Sequence, residues 1–169
     1  MEHFTVPAQM TQEQADIYYM REALRQAQKA FDQEEVPVGA VLMHNNKIIA
    51  KAYNQVELLK DATAHAEMLC LTMASEFFND WRLEEATLYV TLEPCTMCAG
   101  AIILSRVKRL VWGAPDLRVG ANGSWINVFE KNHPIHQVEV TQGVLKEEAS
   151  LLMSKFFSLK RTKSKTLQS

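Results

Sequence analysis

Two short segments of the sequence contain side chains that could bind a metal ion and move a proton. The first is Thr63-Ala64-His65-Ala66-Glu67, and the second contains Pro94-Cys95-Thr96-Met97-Cys98. An imidazole from His65 and thiolates from the two cysteines are ligands that Zn²⁺ prefers in tetrahedral sites. Three protein ligands leave one position open, where a bound water has its pKa lowered to roughly 7 and becomes a nucleophile. The residue types therefore predict a catalytic zinc site with a carboxylate, Glu67, beside it.

Both segments are predicted to lie at the beginning of helices. Thr63 precedes an apolar run and is interpreted as a helix N-cap, which places His65 and Glu67 in the first turn. Residues 88–92 are interpreted as a buried strand, and Pro94 suits the start of the helix that follows it. Because two residues separate the cysteines, both sulfurs are expected on one side of that first turn, where the helix N-terminus favours thiolates.

Each motif alone has other interpretations. A Cys-x-x-Cys pair could be a redox dithiol or half of a structural zinc ribbon, and a lone His-x-Glu carries no information. A structural zinc site would need a fourth ligand, but the remaining cysteine, Cys70, is interpreted as a small core residue. The other histidines have no ligand spacing and are interpreted as solvated or structural: His3, His44, His133 and His136.

Taken together, the two segments resemble the signature of zinc nucleobase deaminases. Beyond these segments, the chain from about Thr11 to Arg161 resembles the bacterial tRNA-specific adenosine deaminases. The further matching residues are 35–41, 54, 91–93, 99–102, 113–114 and 116.

This resemblance implies hydrolytic deamination of adenosine to inosine at the wobble position of a tRNA anticodon, with release of ammonia. One Zn²⁺ per subunit would be held by His65, Cys95 and Cys98 and would activate the water that attacks C6. Glu67 would take a proton from that water, deliver it to the ring nitrogen and then help to protonate the leaving amine.

Four further residues are candidates for substrate contacts. The Asn54 side chain could bind a ribose hydroxyl or a base edge, although the residue alone is more typical of a turn. The resemblance favours the substrate contact and implies that Val38 forms part of an apolar wall around the base. The backbone N–H of Ala66 is a hypothetical partner of the attacking oxygen. Of Phe156 and Phe157, one is expected in the core, and the other, taken to be Phe157, could stack on an unpaired base.

Composition and element order predict one α/β domain. The chain has 169 residues, 47% hydrophobic and 22% charged, as is usual for a soluble globular protein. We expect an N-terminal extension at 1–10, a single deaminase domain at 11–161 and a basic C-terminal tail at 162–169. Strands alternating with helices predict three α/β/α layers. The resemblance implies a cytidine-deaminase-like fold with a mixed sheet of about five strands.

Several local patterns predict individual elements. Thr11-Gln12-Glu13-Gln14 is a capping box that begins an amphipathic helix, and residues 44–47 are expected to form the turn of a hairpin. The strand before this turn is predicted over 36–43, and residues 55–62 and 113–124 are predicted loops. Residues 76–85 are interpreted as a connector with packed aromatic side chains at Phe77, Phe78 and Trp81. A last strand is expected at 137–140 and a last helix at 144–159.

Charge is distributed unevenly along the chain. The formal net charge is −2, yet every charged residue after Glu148 is basic: Lys155, Lys160, Arg161, Lys163 and Lys165. A polyanion would thus be attracted locally. A frayed, solvated chain end is an equally good interpretation of this segment.

The expected partners and location follow from the same observations. With two of its three cysteines assigned to a metal, the chain has no disulfide framework, which favours a cytoplasmic compartment. We expect neither a secretory signal nor a membrane span. The resemblance implies a tRNA anticodon stem-loop as partner, a homodimer and no organic cofactor. The alternatives are a deaminase of free guanine, cytosine or cytidine, a non-catalytic RNA-binding module with structural zinc, and a structural subunit.

Overall fold

The structure, a computed structural model, describes residues 9–130 and 132–167. Its centre is a mixed five-stranded sheet in the order β2-β1-β3-β4-β5. The strands are β1 Gly39–His44, β2 Lys47–Tyr53, β3 Thr87–Leu92, β4 Arg109–Ala114 and β5 Glu139–Gln142. The pairs β1–β2 and β1–β3 are antiparallel, and β3–β4 and β4–β5 are parallel. The predicted α/β class and mixed five-stranded sheet are confirmed.

Helices cover both faces of the sheet and complete three layers. They are α1 Gln12–Asp32, α2 Val56–Leu59, α3 Ala66–Phe78, α4 Thr96–Leu104 and α5 Lys146–Leu167. Alternate residues of a strand point to opposite faces. Val41, Tyr89 and Val111 accordingly pack with α1, whereas Leu42, Leu88 and Leu110 pack with α3 and α4. Helix α5 lies on the same face as α1, where Phe31 and Phe156 meet with ring centroids 6.0 Å apart.

Two local predictions are confirmed in detail. Thr11 is the N-cap of α1, and its side chain and that of Gln14 form the reciprocal bonds of a capping box. The β1–β2 hairpin turns at Asn45 and Asn46, whose φ angles are 49° and 59°. Asparagine tolerates this left-handed conformation, which two-residue hairpin turns require.

The helix that carries His65 begins later than predicted. Its N-cap is His65 itself, and Ala66 is its first residue. Thr63 does not cap it, because the backbone N–H and hydroxyl of Thr63 both donate to Asp61 Oδ1, at 2.8 and 2.7 Å. This local Asx turn competes with capping for the same side chain.

Other boundaries also differ from the predictions. Strand β1 starts at Gly39, and the predicted loop 55–62 contains the short helix α2. Helix α3 continues into the predicted connector, and Phe77 and Trp81 are exposed rather than packed, by 60% and 51%. Helix α5 continues through Leu167, across the boundary predicted at residue 161, so 162–167 are helical rather than frayed. Most of the predicted N-terminal extension, with His3, and residues 168–169 lie outside the described residues.

A largely buried ion pair connects α1 to three strands, at the end of the sheet where β4 begins. Arg109 donates to both carboxylate oxygens of Asp16, at 2.7 and 2.6 Å, and also to Thr141 Oγ1 at 2.8 Å. The Tyr89 hydroxyl donates to Asp16 Oδ1 at 2.8 Å. Burial acts to raise the pKa of Asp16, but the bonds from Arg109 and Tyr89 outweigh it and lower that pKa below its usual value.

Within the part of the chain that the structure describes, none of the helices is long and apolar enough to cross a membrane.

Candidate active site

The three predicted metal ligands lie together where two helices begin. His65 is the N-cap of α3, Cys95 is the N-cap of α4, and Cys98 lies in the first turn of α4. His65 Nδ1 is 3.6 Å from Cys95 Sγ and 3.5 Å from Cys98 Sγ. All three ligand atoms lie within 4.8 Å of one another.

These distances fit a tetrahedral zinc ion. Bond lengths of about 2.3 Å to sulfur and about 2.0 Å to nitrogen place the two ligand atoms about 3.5 Å apart at a tetrahedral angle. The measured separations of 3.5 and 3.6 Å agree with this value. Among the described residues, this is the one group of three or more His, Cys, Asp or Glu side chains whose ligand atoms lie close enough together to hold a metal ion. It contains no fourth protein ligand. The arrangement is that of a catalytic site with one position left for water or substrate.

The local charges suit a metal ion and a proton carrier. A hydrogen bond with the Cys98 thiol, together with one from His65, outweighs burial and lowers the pKa of Cys95 to about 4, which favours the thiolate that zinc binds. Burial raises the pKa of Glu67 to about 7. Glu67 is only 4% exposed and follows His65 by two residues at the start of α3. It is therefore a desolvated carboxyl group that lines the same cavity as His65 and Cys95.

A cavity of about 410 Å³ is lined by His65 and Cys95, two of the three candidate metal ligands, but not by Cys98. Its size is within the range of small-molecule sites, roughly 300–1,000 Å³. Of the predicted site residues, His65, Glu67, Cys95, Val38, Asn54 and Phe157 line it. The Ala66 side chain is buried in the core, so only its backbone could have the predicted role.

Helix α5 forms the outer part of the cavity wall. Phe156 is 6% exposed and packs on α1, as expected for one of the pair, whereas Phe157 is half-buried; both side chains contribute to the cavity lining. The Arg118 guanidinium lies over the Phe157 ring, 5.8 Å from its centroid. Lys160 also reaches the cavity. The entrance thus combines aromatic and cationic groups.

Two buried acidic residues in the wall had no predicted role. Glu35 and Glu93 are each 2% exposed and line the cavity. Glu35 accepts hydrogen bonds from the backbone N–H groups of Glu57, at 3.1 Å, and Leu58, at 2.7 Å. It therefore caps α2 from a distance, next to Asn54. Both acids belong to the segments that carry the family resemblance, but neither has a local spacing that indicates its contacts.

Asp116 and Arg118 also belong to the cavity wall, and they come from the predicted loop 113–124. The Asp116 side chain accepts from the backbone N–H groups of Arg118 and Val119, at 3.1 and 3.4 Å, which shapes the loop around the cavity. The glycines and turn-forming residues of this segment predicted a loop near the metal, but not which side chains face the cavity.

Comparison with known proteins agrees with this geometry. Residues 14–158 match the model of the MafB19-like deaminase family. The tRNA-specific adenosine deaminase of Bacillus subtilis is 49% identical over 150 residues, covering 89% of this chain and 93% of that protein. The Haemophilus influenzae protein of the same name is 48% identical over 87% of its own length. The chloroplastic tRNA(adenine(34)) deaminase of Arabidopsis thaliana is 52% identical over 86% of this chain, which spans only 12% of that longer protein.

Solved structures show the same fold. A structure from a study of A-to-I editing by tRNA:A34 deaminases has a TM-score of 0.77 and 41% identity, and the match covers 80% of this chain and 98% of that one. A guanine deaminase from Nitrosomonas europaea has a TM-score of 0.72 at 22% identity, over 92% and 87% of the two chains, and shares the fold.

The fold is that of a deaminase, and the group of His65, Cys95 and Cys98 could hold a metal ion. Within that class, the chain belongs to the tRNA-specific adenosine deaminases.

Proposed function

We propose that this protein deaminates adenosine to inosine at the wobble position of a tRNA anticodon. The observation that carries the proposal is the open His-Cys-Cys metal geometry with the buried carboxyl group of Glu67 beside it, inside a cavity of nucleoside-binding size. The relatives named for this activity match nearly their whole length to this chain.

Zn²⁺, held by His65, Cys95 and Cys98, would supply the Lewis acidity that makes water a nucleophile at neutral pH. Glu67 then moves two protons. Its carboxylate takes one from the attacking water and delivers it to ring nitrogen N1 as the oxygen bonds to C6. It next transfers the remaining proton of that oxygen to the exocyclic amine, the C6–N bond breaks and ammonia leaves. Adenosine and water are thereby converted to inosine and ammonia.

The cavity wall supports a purine nucleoside as substrate. Val38 offers an apolar surface to the base, and Asn54 offers a donor and an acceptor to the base edge or ribose. Asn54 is 7% exposed, and its backbone N–H donates to Val38 O at 3.0 Å, so the two residues are held side by side. An unpaired anticodon base could enter this space at a smaller unstacking cost than a base within a duplex.

The C-terminal half of α5 supports an RNA partner. Its basic residues follow Phe157 on a helix that leads away from the cavity: Lys160, Arg161, Lys163 and Lys165. Phosphates of an anticodon stem-loop would bind these cations while Phe157 stacks on a neighbouring base. Lys163 pairs with Glu34 in the structure, and RNA would compete for this exposed ion pair.

We further propose that two copies of the chain form a homodimer through α3 and the ends of its neighbours. Met73 and Phe77 lie one turn apart on α3 and are 43% and 60% exposed, and Trp81 follows them. Leu58, Leu59 and Leu104 are also exposed by 51% or more. Adjoining exposed apolar residues of this kind mark protein interfaces. Mass measurement by light scattering, with Phe77→Glu as the dissociating variant, tests this proposal.

A cytoplasmic location is part of the same proposal, because both tRNA and reduced zinc thiolates are found there. The decisive experiment treats a tRNA pool with the zinc-loaded protein and sequences it before and after treatment. The expected result is an adenosine-to-inosine change confined to one anticodon position. Free guanine, cytosine, cytidine and adenosine are assayed in parallel for release of ammonia. Ammonia from a free base or nucleoside, with no change in tRNA, would contradict the proposal, and RNA binding without any turnover would indicate a non-catalytic module.

A further inference from the structure

Glu93 is a buried acidic residue next to the metal site that the deamination mechanism does not use. It follows β3 and precedes the Pro94-Cys95 segment, and it is 2% exposed. Its backbone N–H donates to Ala114 O at 2.8 Å, which ties the end of β3 to the end of β4. A buried carboxylate needs hydrogen-bond donors to offset its desolvation.

Those donors all come from the loop that forms one wall of the cavity. The backbone N–H of Asn122 donates to Glu93 Oε2 at 3.1 Å, and that of Ser124 donates to the same oxygen at 3.4 Å. The Ser124 hydroxyl donates to Oε1 at 2.5 Å. Both oxygens are therefore engaged by the loop, and Glu93 does not belong to the group of His65, Cys95 and Cys98.

The same loop is joined to the backbone around the metal ligand Cys95. Cys95 and Gly120 form an isolated β-bridge, and Ala121 N donates to Pro94 O at 2.8 Å. Gly120 lies so close to the Glu93 side chain that there is no space for a larger residue, because a Cβ atom on Gly120 would lie 1.9 Å from Glu93 Oε2. The carboxylate of Glu93 therefore fills the space beside Gly120, where the loop approaches the segment 93–95.

The far side of the loop is attached to the sheet through Asn122. Its Oδ1 accepts from Trp112 Nε1 at 2.8 Å and from Gln142 Nε2 at 2.9 Å. Glu93 thus completes a hydrogen-bonded network that runs from β4 and β5 through the loop to the metal ligand. The cavity-lining residues Asp116, Arg118 and Val119 belong to the same loop, just before the bonded segment.

We propose that Glu93 is a positioning residue that fixes the 116–124 loop against Cys95 and thereby sets both the position of the metal ligand and the substrate wall of the cavity. Its part in turnover rests on the deaminase function proposed above, whereas its part in loop order and zinc affinity does not. Residues that orient metal ligands from outside the metal's own ligand shell commonly change affinity or activity by about 10–100-fold when they are removed.

Two substitutions separate the hydrogen bonds of Glu93 from its charge. Glu93→Ala removes every bond to the loop. Glu93→Gln can keep them, because its Oε1 accepts from the Asn122 and Ser124 N–H groups while its Nε2 donates to the Ser124 hydroxyl, which then acts as acceptor. Ser124→Ala removes one bond only and is the milder variant should Glu93→Ala fail to fold.

Glu22→Ala is the matched control for loss of a buried carboxylate. Glu22 lies on α1, is 7% exposed and does not line the cavity. Its carboxylate pairs with Lys51 Nζ at 2.9 Å. It should lower the melting temperature without any change at the metal site.

Each zinc-loaded variant is measured by hydrogen exchange of residues 120–124, by zinc competition with a chelator, and by kcat and KM on an anticodon stem-loop. For Glu93→Ala we expect loss of exchange protection in 120–124, a zinc Kd raised by about 10–100-fold and a kcat/KM lowered by a similar factor. Ser124→Ala should shift the same quantities less, and Glu93→Gln should match the wild type.

Three results would overturn the inference: unchanged exchange and zinc affinity in both Glu93→Ala and Ser124→Ala, equal effects of Glu93→Ala and Glu22→Ala on the metal site, or a Glu93→Gln variant as impaired as Glu93→Ala. If the wild type failed to deaminate RNA, the proposed function would fall, while exchange and zinc affinity would still test Glu93.

Discussion

Glu67 and the three proposed metal ligands occupy neighbouring positions at two helix N-termini, and we expect the loss of Glu67 and the loss of a ligand to have different consequences. The ligands must all be present because zinc binds weakly to an incomplete set. Glu67 is not needed to hold the metal, because the ligand atoms of His65, Cys95 and Cys98 already form a compact group without it. Substitutions at these positions therefore separate metal binding from proton transfer.

Glu67→Gln should abolish turnover while zinc and fold are retained. Glutamine has nearly the same shape as glutamate but cannot accept and return a proton, and general acid–base catalysis is worth about 10²–10⁴ in rate. Single-turnover deamination of an anticodon stem-loop, with zinc content measured on the same sample, tests this. Normal activity in the variant would refute the role of Glu67.

Cys95→Ala and Cys98→Ala should each lose the metal. Cys70→Ala is the control, because Cys70 is buried in α3 at 0% exposure with its Sγ 3.6 Å from Ala50 O, and it lies outside the ligand group. Metal analysis after gel filtration should show about one zinc per subunit in the wild type and in the control, and little in the other two variants. Full zinc content in Cys95→Ala or Cys98→Ala would contradict the assigned ligand set.

Among the helices and strands, α5 is the element whose length changes the interpretation of the basic C-terminal segment. Its amphipathic first part packs on the sheet, and its last turns expose basic side chains through Leu167. Because 162–167 are helical, Lys160 and Lys163 lie on one face of α5, whereas Arg161 and Lys165 lie together on another face. A frayed end would hold them at no defined distance from the cavity.

Replacement of Lys160, Arg161 and Lys163 by alanine should weaken RNA binding and make the affinity less dependent on salt concentration. Each lost phosphate contact lowers the slope of log K against log salt concentration by about 0.7–0.9. Titration of an anticodon stem-loop onto the inactive Glu67→Gln protein at several salt concentrations measures that slope. Lys47→Ala, in the β1–β2 hairpin, is the control and should leave it unchanged, and an unaltered slope in the triple variant would exclude α5 as the phosphate site.

At the scale of the whole molecule, the Asp16–Arg109 pair holds the layers together at the sheet edge away from the metal site. Its side chains are 6% and 15% exposed, so solvent screens the pair only weakly. The pair connects α1 to the start of β4, and Thr141 extends the contact to β5. It is therefore expected to stabilise the fold without influencing the chemistry.

Asp16→Ala should destabilise the protein by about 3 kcal/mol at neutral pH, because it leaves Arg109 buried without its partner. The folded-state pKa of Asp16 lies below its unfolded value, so its contribution is fully present above an unfolded pKa of about 3.9 and is lost as the pH falls through the folded value. Urea unfolding at a series of pH values should show the two proteins converging in acid. Lys108→Ala, which removes an exposed pair with Glu85, is the control and should change stability little. If the free energies of unfolding of the wild type and of Asp16→Ala differed by the same amount at every pH, this account would be contradicted.

Features that depend on short spacings could be predicted from the amino-acid sequence. The Cys-x-x-Cys spacing puts Cys95 and Cys98 at the start of one helix, the capping box at Thr11 needs four consecutive residues, and the hairpin turn needs the Asn45-Asn46 pair. Each of these is governed by local geometry, so residue types at fixed intervals were sufficient to predict them. The alternation of strands and helices predicted the layers for the same reason.

Contacts between distant parts of the chain became apparent only in the folded structure. Glu93 meets a loop that begins more than twenty residues later, Glu35 caps a helix about twenty residues away, and Asp16 meets Arg109 across 93 positions. The start of α3 was misjudged because the Thr63 side chain bonds to Asp61 instead of the helix. Buried polar groups find whichever partners the fold brings near them, and sequence separation alone does not specify which groups those are.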